Sequence, residues 1–195
     1  MLWALLFGNF VIGTGVMLVP GSLNNISSSL GVSIASSGQL ITYGAVLMCI
    51  GAPLFAAMVG GWDRRKLLAA SMLWYGLLHA ACALAPGFAS VLTLRVLAMA
   101  APAIFTPQAA AVAGLLVPPE QRGKAITMVF LGWSFASVVG SPLGAWIGGA
   151  LGWRVAFGLL ALLSLVSAVW VWRALPQGVR PPALSAQLWR DTLSS

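Results

Sequence analysis

The chain has 195 residues, of which 60% are hydrophobic and only 7% are charged. A water-soluble domain of this length could not bury so large an apolar share, so the sequence predicts a protein whose solvent is lipid. The formal net charge of +7 does not indicate a nucleic-acid partner, because the basic residues are scattered between apolar runs and form no patch. We interpret this charge as a signal of membrane topology.

Six segments are long and apolar enough to cross a bilayer, which requires about 20 residues of helix. In chain order they lie at 2–22, 38–60, 67–86, 90–117, 125–148 and 155–174. The predicted fold is therefore an all-α six-helix transmembrane bundle over residues 1–175. Residues 176–195 contain a Pro181-Pro182 pair and are expected to begin a cytoplasmic linker.

The loops between these segments alternate in charge. The loops at 24–37 and 85–90 carry no charged residue, whereas those at 61–66 and 118–124 carry the basic residues Arg64, Arg65, Lys66, Arg122 and Lys124. Basic residues favour the cytoplasmic side of a membrane. We therefore expect a multi-pass protein of the cell (inner or plasma) membrane with both termini in the cytoplasm.

A pattern in the second segment recurs in the fifth. The two copies match pairwise at one constant spacing, namely Gly51, Pro53, Leu54, Ala56 and Gly60 with Gly140, Pro142, Leu143, Ala145 and Gly149. The expected topology gives the two segments opposite orientations, as in the inverted three-plus-three repeats of secondary transporters. A chance match is the alternative, because glycine and alanine are abundant in this chain.

The fifth segment also carries a small residue at every fourth position, at Gly132, Ala136, Gly140, Gly144 and Gly148. This spacing places them on one face of a helix, as a glycine ridge that lets another backbone approach closely. Pro142 within the stretch removes a backbone donor and can bend the helix. The ridge predicts either static helix packing or a sliding interface.

Few polar side chains lie within the predicted spans. Arg95 is charged and is therefore a functional candidate, although it lies only about two turns from its helix end and could extend outward to the membrane surface. His79 could carry a proton, since its unperturbed pKa is about 6.5, or could hydrogen-bond a neighbouring helix. No Asp or Glu falls within the six segments, so they offer no carboxylate for proton coupling.

Several separated stretches resemble the major facilitator superfamily, and within it the bacterial sugar and drug efflux permeases related to arabinose efflux proteins. They occur in the family's order: FVIGT at 10–14, LGVS at 30–33, GAPL at 51–54, DRRKLL at 63–68, LRVL at 94–97, VPPEQRGKA at 117–125, GSPLG at 140–144 and GWR at 152–154. The resemblance implies that this chain is the N-terminal half of a transporter. A missing C-terminal six-helix half would follow, and a small solute would cross between the halves by alternating access.

The resemblance also implies roles for single residues. Asp63, Arg64 and Arg65 match the family's conformational-switch loop, although the glycine that usually follows the first arginine is missing, and a purely topological role is the other interpretation. Arg95 matches the arginine of the family's helix 4 motif, with Met99 in place of a glycine.

Two further sets follow from the same resemblance. The antiporter-associated motif of the family's helix 5 corresponds to Gly140, Gly144 and Gly148 of the ridge together with Pro142. Helices 1 and 4 line the substrate cavity in this family, so the cavity candidates are Asn9, Thr14 and Gln108.

Other functions stay open from the residues alone. A membrane-embedded enzyme would need a convergent nucleophile, base or metal site, and one histidine without intramembrane acids or ligand-spaced cysteines argues against it. A non-transporting membrane subunit or scaffold and a homodimeric half-transporter remain as alternatives. We expect no metal and no cofactor, and the partners expected are the lipid bilayer, a small-molecule solute and the missing half. The sequence does not identify the solute, the direction of transport or a coupling ion.

Overall fold

The fold was obtained as a computed structural model that describes residues 1–180, and over these residues it contains seven α-helices and one short 3₁₀ turn. In chain order these are α1 (Leu2–Leu30), α2 (Ile34–Met58), α3 (Arg64–Leu84), α4 (Phe88–Ala98), α5 (Ala100–Leu115), the 3₁₀ turn (Pro119–Gln121), α6 (Arg122–Ala150) and α7 (Trp153–Ala174). Because α4 and α5 follow each other within one apolar stretch, the helices make six candidate membrane spans. The predicted all-α six-helix bundle is confirmed, while residues 181–195 of the expected linker lie outside the described part.

The first helix is longer than predicted, because the polar stretch after residue 22 continues it. The Ser28 hydroxyl in this stretch donates to the Asn25 carbonyl of the same helix at 3.2 Å, a local bond that serine can form within a helix. The helix ends only at Gly31, whose positive φ of 65° suits a residue without a Cβ. The predicted loop at 24–37 was therefore wrong.

The fourth span is interrupted near its middle, at Met99. Its N–H reaches the carbonyls of Arg95 at 3.3 Å and Val96 at 3.0 Å, which tightens the chain locally. Pro102 explains the break, because it has no N–H for the carbonyl of Ala98 and its ring crowds that oxygen. The break separates α4, which carries the intramembrane arginine, from α5.

The helices pack most extensively in four pairs, α1 with α6, α3 with α7, α1 with α7, and α2 with α5. Exchanging the first three spans with the last three converts the α1–α6 pair into α5–α2 and preserves α3–α7. This pairing is consistent with the inverted repeat, which stays a prediction. Helix α1 lies at the centre, with 61% of its most hydrophobic stretch buried, against 17% for α2 and 22% for the span that contains α6.

The glycine ridge of α6 lies against α1. All five ridge residues are buried, and a Cβ added at Gly144 would lie 2.6 Å from the carbonyl oxygen of Leu18. A Cβ at Gly132 would overlap the carbonyl oxygen of Leu6, and one at Gly21 of α1 would overlap that of Ser141. The absence of side chains therefore lets the two backbones meet directly, as in close-packed membrane helices.

Replacing Gly144 with alanine should destabilise the bundle by roughly 1–3 kcal/mol, because the added methyl group must push α1 and α6 apart. The matched control is Gly149→Ala on the same helix, where a Cβ would meet nothing within 4 Å. That change should be neutral or stabilising by up to about 1 kcal/mol. Thermal unfolding of the purified proteins in detergent, followed by circular dichroism, measures both effects. Equal midpoints for the two variants would show that the ridge does not limit the helix approach.

Candidate functional site

Arg95 of α4 points into the bundle. Its side chain is 3% exposed, one guanidinium N–H group donates to Nε2 of His79 at 2.8 Å, and another donates to the carbonyl oxygen of Gly15 at 2.8 Å. The side chain therefore does not extend outward to the membrane surface. It joins α4 to α3 and α1 in the interior, where a charge needs hydrogen-bonding partners.

His79 is held on both ring nitrogens. Its Nδ1 lies 2.7 Å from the carbonyl oxygen of Tyr75, an atom that can only accept, so Nδ1 carries the hydrogen. Nε2 then accepts from Arg95 as the second nitrogen of a neutral imidazole. The Tyr75 ring contacts the imidazole edge-on at a centroid distance of 4.2 Å, Phe157 of α7 stacks at 5.5 Å, and the Tyr75 hydroxyl donates to the Ile12 carbonyl at 3.2 Å.

Asn9 makes a second set of interhelical contacts. Its side-chain nitrogen donates to the carbonyl of Val129 in α6 at 3.1 Å, and its side-chain oxygen accepts from the Thr106 hydroxyl of α5 at 2.8 Å. Further along the same interface, the Ser22 hydroxyl lies 3.0 Å from the carbonyl of Gly144. These bonds satisfy polar groups inside the bundle and connect α1 with α5 and α6.

An open apolar cavity of about 330 Å³ lies between α2, α5 and α6. Its lining residues are Met48, Ala52, Pro102, Ala103, Thr106, Pro107, Phe130 and Trp133. The Thr106 hydroxyl already donates to Asn9, so it offers a solute its acceptor lone pairs. The cavity therefore suits a mostly apolar molecule with few polar groups.

The three predicted cavity residues do not line this cavity. Asn9 is fully buried, and Thr14 and Gln108 are 7% and 8% exposed. Thr14 packs against α6, where its Cα is near Gly140, and its hydroxyl has no hydrogen-bond partner among the described residues. Asn9 contacts the cavity lining through its hydrogen bond with Thr106. The assignment of Asn9, Thr14 and Gln108 to a substrate site stays a prediction.

Asp63 connects the loop before α3 to the chain after α7. One carboxylate oxygen accepts from the N–H of Lys66 at 3.1 Å, which caps α3, and the other accepts from the N–H of Gly178 at 2.7 Å. The backbone N–H of Arg64 donates to the carbonyl of Val179 at 3.0 Å. The segment that follows the last helix therefore runs against this loop.

Hydrogen bonding also governs the charge of Asp63. Slight burial raises the pKa of this carboxyl, but the backbone N–H groups of Lys66, Gly178 and Arg65 outweigh it and hold the pKa below the ordinary value of 3.8. A lowered pKa means that the stabilisation by Asp63 is fully present above that ordinary value and is lost as the pH falls through the lower, folded-state value. The contact therefore persists at every pH near neutrality.

The two arginines of this loop contact their own bundle. The guanidinium of Arg64 donates to the carbonyls of Val59 at 3.1 Å and Gly60 at 3.3 Å, which satisfies the C-terminal end of α2. Arg65 lies over the ring of Trp172 in α7, 4.5 Å from its centroid, in a cation–π contact. Within residues 1–180, neither arginine forms an ion pair with Asp63, and a switch role for the loop stays a prediction.

Sequence reasoning missed two residues of these clusters. Tyr75 lies four residues before His79, a spacing that puts both on one helix face, so the pair could have been found. Thr106 gave no comparable signal, because a threonine in an apolar helix commonly bonds its own backbone. Its contact with Asn9 depends on how α1 and α5 pack.

The fold and its interior contacts define an integral membrane bundle of six spans with an apolar cavity open on one side. The family model for the Major Facilitator Superfamily matches residues 5–194. The chain belongs to this family of transporters, as the sequence motifs predicted.

Three similar proteins illustrate this relationship. The chain is 36% identical over 166 residues to the chloramphenicol resistance protein of Streptomyces lividans, covering 85% of this chain and 42% of that protein. It is 32% identical over 177 residues to the inner membrane transport protein YdhP of Escherichia coli (strain K12), covering 91% and 46%. The crystal structure of the peptide transporter POT in complex with sulfate has the same fold, with a TM-score of 0.81, 14% identity and coverage of 99% of this chain and 42% of that one. The chain thus spans about half the length of the relatives it matches.

Replacing Asp63 with asparagine should release the segment around Gly178. The asparagine side chain has a single oxygen, which cannot accept from Lys66 and Gly178 in the two directions that the carboxylate serves. Hydrogen exchange of the Gly178 amide in the detergent-solubilised protein should become faster by roughly tenfold. Glu120→Gln is the control, because it removes an acid from the other basic loop. The same exchange rate in both variants would mean that Asp63 does not hold this segment.

Proposed function

We propose that this chain is the N-terminal half of a small-solute efflux transporter that works by alternating access with a second six-helix bundle. The observation that carries the proposal is the apolar cavity between α2, α5 and α6. It lies between α5 and the two spans that their own bundle buries least, α2 and the span that contains α6. A cavity walled on one side and exposed on the other is half of a site that a second bundle would close.

The lining of this cavity favours a mostly apolar, aromatic solute over a sugar. A sugar carries many hydroxyl groups, each of which needs a hydrogen-bond partner once it leaves water. Among the lining side chains, the Thr106 hydroxyl and the Trp133 indole are the polar groups, and Phe130 and Met48 add apolar surface. The name of the Streptomyces lividans relative supports a compound of the chloramphenicol type.

The orientation proposed from the loop charges places both termini on the cytoplasmic side of the cell membrane. The basic loop with Arg64, Arg65 and Lys66 and the one with Arg122 and Lys124 would then face the cytoplasm. Asp63 and its neighbours would form the switch loop on that side. In this arrangement the contact between Asp63 and Gly178 ties the switch loop to the start of the linker that leads to the second half.

Transport of this kind can be coupled to protons, which requires a residue that carries the proton. The described acids, Asp63 and Glu120, lie outside the apolar core of the spans, so the six spans offer no carboxylate as a proton carrier. His79 is the titratable candidate from the sequence, but its two nitrogens are occupied by Tyr75 and Arg95. A coupling carboxylate would therefore come from the second half.

Replacing Thr106 with valine should reduce export of radiolabelled chloramphenicol by roughly tenfold, because the cavity loses its acceptor without a change of size. The measurement uses a complete transporter containing this half, expressed in a susceptible bacterium. Thr106→Ser should retain export. Thr93→Val is the matched control, since the Thr93 hydroxyl bonds only the Ala89 carbonyl of its own helix. Unchanged export by Thr106→Val would remove this cavity from the proposed route.

The 195-residue chain reconstituted alone into lipid vesicles should not transport radiolabelled chloramphenicol, because one bundle supplies one wall of the route. Adding a separately expressed C-terminal six-helix half of the same transporter should restore saturable flux. Two copies of the chain could also supply two walls, so the oligomeric state in detergent is measured alongside. Saturable flux from a stable dimer of this chain would favour the homodimeric half-transporter. Binding of chloramphenicol without flux, even with both halves present, would favour the non-transporting subunit.

A further inference from the structure

Arg95 brings a positive charge into the bundle without a carboxylate partner among the described residues. Its two bonded N–H groups reach the His79 imidazole and the Gly15 carbonyl, and the described acids Asp63 and Glu120 lie in loops. A buried guanidinium needs hydrogen-bond acceptors that offset the cost of removing it from water. The position of Arg95 therefore depends on groups that are neutral.

We propose that His79 is a positioning residue for Arg95. Its neutral imidazole presents the Nε2 lone pair to the guanidinium and so keeps the other N–H group of Arg95 on the Gly15 carbonyl of α1. This ties α3 and α4 to the central helix. The structural part of the inference stands on the contacts alone, while its effect on transport rests on the proposed function.

The surroundings of His79 fix the tautomer that this role requires. The Tyr75 carbonyl, one turn earlier on α3, accepts the Nδ1 hydrogen at 2.7 Å, which leaves Nε2 free to accept. The Tyr75 and Phe157 rings pack against the imidazole and limit its rotation. Rotating the ring by half a turn would break both hydrogen bonds at once, so the acceptor stays directed at Arg95.

Protonation of His79 would turn its attractive contact with Arg95 into a repulsive one. A hydrogen on Nε2 would face an N–H group of Arg95 across 2.8 Å and bring two cations together. Around the imidazole and its partner Arg95, the titratable or charged side chains are Tyr75 and Cys82 of α3 and Arg95 itself, while α1 contributes the Gly15 carbonyl and α7 contributes Phe157. None of these is an acid that could stabilise an imidazolium, so in this conformation His79 acts as an acceptor rather than a proton carrier.

The chain contains a single histidine, so every histidine signal in an NMR spectrum belongs to His79 and reports its tautomer directly. Nitrogen NMR of the 195-residue chain, labelled with ¹⁵N-histidine and held in detergent at neutral pH, should show a hydrogen on Nδ1 and none on Nε2. In Arg95→Gln the Nε2 resonance should shift, because its donor changes from a cation to an amide. A hydrogen on Nε2, or on both nitrogens, in the unmodified chain would overturn the proposal.

A second measurement separates positioning from simple packing. In a complete transporter containing this half, His79→Gln retains an acceptor for Arg95 and should keep chloramphenicol export within about threefold of the parent. His79→Leu fills similar space without an acceptor and should lose about tenfold or more. Ser71→Ala on the same helix is the control, since the Ser71 hydroxyl bonds only the Leu68 carbonyl, and its export should be unchanged.

The NMR measurement tests the structural inference, and the export measurement tests its effect on transport. Equal export by His79→Gln and His79→Leu, with the parent active, would show that the acceptor has no role in transport and would overturn the positioning role. If the unmodified complete protein exports no chloramphenicol while the NMR spectrum shows the expected tautomer, the proposed function fails and the structural inference stands. His79→Leu failing to fold would leave the decision to the spectrum of the unmodified chain, which does not depend on any variant.

Discussion

The direct backbone contact between α1 and α6 is the constraint on which the rest of the bundle depends. In lipid, apolar side chains gain little from meeting one another, so helices associate through close packing and hydrogen bonds. Because Gly21 and Gly144 have no side chains, the two backbones come together. At that distance Asn9 and Ser22 of α1 reach carbonyls of α6. The same placement of α1 presents the Gly15 carbonyl to the α3–α4 side of the bundle.

Within residues 1–180, the polar interior is built from neutral acceptors rather than ion pairs. Arg95 bonds a carbonyl and an imidazole, and Asn9 bonds a carbonyl and a hydroxyl. Each of these bonds joins different helices, so removing one partner leaves the other buried without a replacement from water. A network of this kind holds one arrangement of α1, α3 and α4 without a carboxylate. It also explains why the intramembrane arginine can point inward although its helix end is near.

The number of spans and the ridge were predictable because both follow from periodicities within single segments. The helix ends were not, since the polar residues after residue 22 indicated a loop, whereas α1 continues to Leu30 and Ser28 bonds its own helix. The contacts inside the bundle were harder still to predict from the sequence. A helix that is apolar on all sides does not reveal which face meets the bundle, so the contacts of Asn9 with Val129 and Thr106 could not be predicted. The Arg95–His79 pair depends on the packing of two helices, which no local pattern encodes.

The α1–α6 contact also bears on whether the ridge slides. A shift of α6 along α1 by one turn, about 5.4 Å, would break the Ser22–Gly144 and Asn9–Val129 hydrogen bonds together. It would also move Ala136 to the present place of Gly132 or Gly140, where a Cβ would overlap the Leu6 carbonyl oxygen or lie 2.8 Å from the Met17 Cβ. No side-chain rotation can relieve contacts made by backbone atoms. These contacts favour static packing of α1 against α6, and a sliding interface stays a prediction. With static packing we expect any adjustment to fall on α2, which is the least buried of the six described spans, and on the break between α4 and α5.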